Sequence, residues 1–113
     1  MSAILDRAKA HFDNKEIRRI EVPEWGDDNG NPAIITAEPF TLADRKTLLK
    51  FAKEDEVEFY VRLIIMKAMD ESGQKVFDLS DKPVLMNKVD PAVLIRLANA
   101  ISLAPTVEDM SGN

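Results

Sequence analysis

The chain has no cysteine among its 113 residues, which excludes disulfides, thiolate metal sites and cysteine nucleophiles. A single histidine, His11, leaves no imidazole cluster for zinc and no imidazole pair for acid–base exchange. The four glycines, Gly26, Gly30, Gly73 and Gly112, make no phosphate-cradling pattern. Long apolar runs are missing too. The longest strongly apolar one, Leu63–Met66, falls far short of the roughly 20 residues that a membrane span needs. Charge within the first turns leaves no apolar core for a secretory signal. The expectation is a soluble chain in the cytoplasm, with no membrane partner. Basic charge is scarce as well: 15 Lys+Arg against 20 Asp+Glu give a net charge of -5 and a pI of about 4.9. That balance argues against a nucleic-acid backbone as the main partner. No cofactor is implied.

What is present suits one small globular domain, with 45% hydrophobic and 31% charged residues. Residues 1–40 hold five basic and eight acidic side chains, whereas residues 41–104 hold ten of each. The expected organisation is a single domain over 1–104 and an acidic, disordered tail over 105–113, whose composition is small and polar.

Local patterns set out the elements. Ser2 caps a helix to about Phe12, with Ile4, Leu5, Ala8 and Phe12 on one apolar stripe. Glu16–Val22 reads as a strand that Pro23 ends, and Pro32–Glu38 as its partner. Between them Asp27–Asn31 is a dense turn signal, with Asn29-Gly30 suited to positive φ. Thr41 and Asp44 form a capping box opening a helix to about Lys53. A second helix, Val57–Met69, is apolar around well over half its circumference, so it is central to the core or meets another chain. Pro83 and the pair Asp90-Pro91 open two further helices, the last carrying Leu94, Leu97, Ala98 and Ile101 on one face. The predicted fold is α+β and mostly α: an N-terminal helix and a β-hairpin packed on a bundle of about four short helices.

Chemistry-bearing groups are few. Acids crowd at Glu54, Asp55, Glu56 and Glu58 and at Asp27-Asp28, but their spacing matches no calcium loop, and solvated caps and turns explain them better. Arg45, Lys46, Lys50 and Lys53 make a basic stripe that the polar face of an amphipathic helix also accounts for. The last two helices mimic a helix-turn-helix, yet the final one lacks the side chains that read base edges. Trp25, the sole tryptophan, either pins the hairpin to the helices or anchors a partner. Phe59, Tyr60, Leu63 and Met66 are the helix residues expected to line a partner-facing surface, and Met66, Met69 and Met86 are soft contacts for an irregular partner.

The order of these elements is familiar. A strand ending in Glu21, Val22, Pro23, Glu24, Trp25 and Gly26 is followed by a helix start with Thr41 and Arg45. After the central helix comes a turn with Asp70, Glu71, Gly73, Val76 and Phe77. Over roughly residues 1–104 the chain resembles the phage tail assembly chaperones of siphophage type. The resemblance implies a non-enzymatic protein of the bacterial host cytoplasm that coats the helix-rich tape measure protein, keeps it soluble and helps recruit tail tube subunits. The surplus apolar surface of Val57–Met69 points by itself to self-association into a homo-oligomer or to docking of a partner helix, and the resemblance implies a longer form made by frameshifting near the end of the reading frame. No catalytic residues are carried over. The alternative is a small helical adaptor or a DNA-associated regulatory protein.

Overall fold

A computed structural model describes residues 2–102; the tail expected over 105–113 lies outside the described residues. The chain is α+β and mostly helical, with five α-helices and one small antiparallel sheet among those residues. Helix α1 (Ala3–Asp13) is followed by strands β1 (Arg18–Val22) and β2 (Ala33–Ala37). Helices α2 (Leu42–Ala52), α3 (Glu56–Lys67), α4 (Lys82–Asn87) and α5 (Pro91–Ser102) complete the order. Short 3-10 turns at Pro23–Trp25 and Leu79–Asp81 precede β2 and α4.

The sequence signals for starts and stops correspond to real hydrogen bonds. The Ser2 hydroxyl accepts from the Leu5 N–H at 3.0 Å. At α2, the Asp44 N–H donates to the Thr41 hydroxyl at 2.9 Å while the Thr41 N–H donates to the Asp44 carboxylate at 3.1 Å, so the capping box is complete. Each such box satisfies helix N–H groups that would otherwise lack partners. Asp55 caps α3 through the Glu58 N–H, and Asp90 accepts from the Ala92 N–H at 2.9 Å where α5 begins.

The hairpin pairs Arg18 with Ala37, Ile20 with Ile35 and Val22 with Ala33. Its inward face buries Val22, Ile35 and Ala37, while Arg19 and Glu21 on the other face of β1 are exposed, as the alternation requires. At the turn, Asp27 accepts from the Asn29 and Asn31 N–H groups, and Gly30 has φ 86°. Gly26 is required by a crossing of backbones: a Cβ there would lie 2.3 Å from the Asn31 carbonyl oxygen. Within β2, Thr36 exchanges backbone hydrogen bonds with Met69 at 2.7 and 2.9 Å, tying the sheet to the segment just after α3.

Helix α3 is the centre of the core. It packs against α2, α4 and α5, and α5 in turn carries β1. Val61, Leu63, Ile64 and Ile65 are all buried, on somewhat more than half of the helix circumference. Of the two possibilities open for so apolar a helix, central burial accounts for these four. Leu48, Leu85, Leu97 and Ile101 close around them. Helix α1 stands apart, with no buried residue despite its apolar stripe.

Candidate protein-docking groove

The expected partner-facing residues do not form one surface. Leu63, at 1% exposure, is a core residue and faces no partner, which corrects its assignment to the surface. Periodicity misplaced it because apolar residues surround α3, so spacing alone does not mark an outward side. Trp25 packs on the core with its ring edge-on to Phe77, centroids 6.3 Å apart, and so pins the hairpin. Met66 borders a concavity with Phe51 and Leu79 on one side of α3. Phe59 borders another with Leu42 and Leu49, and the Arg45 guanidinium lies 5.7 Å over its ring. Tyr60 alone stands on the ridge between two concavities.

Of these two, the wider one, about 590 Å³, has Arg45, Lys53, Glu54 and Asp55 on its walls and opens broadly to water. The narrower one is the candidate site. It holds about 320 Å³ between α3, α4 and α5, with Glu56 as its sole charged lining residue. Val57 and Tyr60 form the α3 wall, Met86 rises from α4, and Leu94 and Ile95 come from α5. Val57, Met86 and Ile95 are 55%, 43% and 44% exposed, so three large apolar side chains from three helices face water beside one cleft. Water-exposed apolar surface gathered in this way marks an interaction site more often than singly scattered residues do.

Local structure explains the shape. Helix α4 is only 6 residues long, and the corner from Lys88 through Asp90 turns the chain sharply into α5. Such a short helix covers one end of α3 only partly, leaving Val57 without a neighbour on its outer side. Met86, noted in the sequence as a soft contact, supplies a flexible, polarizable wall. Ile95, which sequence reading passed over, carried a visible signal: it is an apolar residue outside the Leu94–Leu97–Ala98–Ile101 stripe.

Electrostatics fix the frame around the groove. The Tyr60 hydroxyl donates to Glu56 at 3.1 Å, and this bond pushes the phenol above its ordinary pKa. Glu58 receives Lys82 and Arg62, each at 2.5 Å, and those contacts hold its carboxyl below the usual range while tying α4 to α3. On the far side of α5, Arg96 grips Glu24 through two hydrogen bonds of 2.6 and 2.8 Å. That side-chain pairing holds Glu24 down at about 2. For Asp44, burial works upward, but Lys67 at 3.0 Å and the Thr41 N–H outweigh it and keep the acid low. Asp27, Asp70 and Asp78 are lowered by hydrogen bonds from their own turns. Among the described residues no three His, Asp or Glu side chains gather in a metal-ligating cluster. None of their helices is long and apolar enough to cross a membrane.

No protein-family model, curated protein or solved structure matches the chain.

Proposed function

We propose that the protein is a non-enzymatic assembly chaperone that receives an amphipathic helical segment of a client in the α3–α4–α5 groove. The client is a phage tape measure protein, kept soluble in the bacterial host cytoplasm while tail tube subunits are recruited. The observation that carries this reading is the set of exposed Val57, Met86 and Ile95 around one apolar cleft. A helix laying its apolar face into a groove buries side chains spaced at i, i+3, i+4 and i+7, and a cleft built from three helices presents that kind of trough. The order of strand, turn and helix motifs that resembles the tail assembly chaperones supports the choice of client. Trp25 packs on the core and Phe59 lines the neighbouring concavity, so neither lines the groove, whereas Tyr60 borders it.

The test is co-expression with a candidate phage tape measure protein. Wild-type protein should raise the soluble fraction of the client and co-purify with it. Met86→Asp with Ile95→Asp should abolish both effects while leaving the thermal melt of the chaperone in place, since both residues are exposed. Retained solubilisation by this double variant would remove the groove from the mechanism. Salt-sensitive binding to duplex DNA in place of client binding would favour a regulatory protein instead.

A further inference from the structure

Helix α1 is fully formed and has nothing to rest on. Ser2 caps it, and the Asn14 N–H closes its far end on the Ala10 carbonyl at 3.1 Å. Yet none of its 11 residues is buried, and Ile4 and Leu5 are 71% and 54% exposed. Isolated helices shorter than about 12–15 residues are marginal in water, so a helix of this length needs a packing partner. The radius of gyration, 15.6 Å, exceeds the about 13 Å of a compact 100-residue domain, in keeping with a projecting element.

The chain therefore carries an unpartnered apolar helix face and an unfilled apolar groove. We infer that α1 of one copy docks in the α3–α4–α5 groove of a second copy. Charge favours this pairing. At 100° per residue, the stripe of Ile4, Leu5, Ala8 and Phe12 is flanked by Arg7 on one side and Lys9 on the other. The groove is lined by one charged residue, Glu56, and its α4–α5 corner carries Lys88 and Asp90. The basic flanks of α1 thus face the Glu56 carboxylate, with apolar surface between them.

Placement favours a second copy over the chain's own α1. The connector Asn14–Ile17 joins α1 to β1, and Arg19 of β1 pairs with Glu71, just beyond the C-terminal end of α3. The groove lies at the opposite end of α3, against Val57 and Tyr60. In the folded chain its own α1 leaves the groove open, with Ile4 and Leu5 71% and 54% exposed, so a neighbouring copy is the source of the helix that fills it. Reciprocal exchange of α1 closes a two-fold dimer. The pairing uses the groove assigned to the client, but it stands on α1 and the groove alone; in that setting a client helix displaces α1.

Because the chain has no cysteine, Leu5→Cys and Ile95→Cys introduce the only thiols. Mixing the two single variants of the full chain under oxidising conditions should give a disulfide dimer containing one of each. Sedimentation should show self-association of the wild type, weakened at least about tenfold by Leu5→Asp. The melt of the monomer should not move, because Leu5 touches no core. A wild type that stays monomeric at every concentration overturns the inference, as does self-association unaffected by Leu5→Asp. So does a Leu5→Cys/Ile95→Cys double variant that closes its disulfide only within one chain. None of these failures touches the client-solubility assay, which is read from Met86→Asp and Ile95→Asp.

Discussion

Leu63→Ala is expected to remove a large part of the stability of this domain. Leu63 is 1% exposed on the helix that meets α2, α4 and α5, so its side chain leaves a void that neighbours fill only partly. The lost transfer energy is about 0.8 kcal/mol for each carbon removed, or about 2.4 kcal/mol in all. A residual cavity of roughly 50 Å³ at about 24 cal/mol per Å³ adds about 1.2 kcal/mol. The sum, about 3.6 kcal/mol, is a substantial share of the about 5–15 kcal/mol that holds a typical domain folded. It corresponds to a fall in Tm of about 14–28 °C for a chain of this size. Urea unfolding followed by far-UV circular dichroism and by the fluorescence of Trp25, the sole tryptophan, reads the change directly. The paired control is Ile95→Ala, at an exposed groove position, which should cost less than about 1 kcal/mol. A loss below about 1 kcal/mol for Leu63→Ala, with an unchanged m-value, would refute the enclosure of α3. Equal losses for the two variants would refute the distinction between core and groove.

Gly26→Ala should destabilise the hairpin end by about 1–3 kcal/mol, measurable by thermal melt. The added Cβ would sit 2.3 Å from the Asn31 carbonyl oxygen, which belongs to backbone and cannot swing away. Acid should weaken the fold through lowered carboxylates, with Glu24 at about 2 as the clearest case. A group whose folded pKa lies below its unfolded value stabilises above the unfolded value and loses that contribution as pH falls through the folded one. For Glu24 the window runs from about 4.5 down to about 2, and Glu24→Gln should flatten the pH dependence of Tm within it. An identical slope in the variant would show that the Arg96 pair contributes nothing to acid sensitivity.

Features set by neighbouring residues were legible in the sequence. The Ser2, Thr41–Asp44, Asp55 and Asp90 starts, the Pro23 stop and the Asn29-Gly30 turn depend on side chains bonding backbone a few residues away. The mostly helical α+β class follows from those same signals. Harder to see was which apolar residues touch one another. Leu63 and Tyr60 look alike on a helix that is apolar almost all round, yet one is enclosed and the other stands on a rim. Helix α1 shows the opposite failure: its stripe has the spacing of a core face and meets no core. The groove was invisible for a third reason. Its walls come from Val57, Met86 and Ile95, which only the packing of three helices brings together.

The grip of Arg96 on Glu24 spans 72 residues of chain, and the buried face of the hairpin rests on the same helix that supplies Arg96. This sets an order in time. While the protein is being synthesised, β1 and β2 leave the ribosome long before α5 exists. At about 5–20 residues per second the hairpin waits roughly 4–14 s for its platform. Through that interval Val22, Ile35 and Ala37, all buried in the finished fold, have nothing of α5 to cover them. A chain stalled or cut before Pro91 would leave β1 without α5 against it, so the hairpin reaches its final packing only once α5 is made.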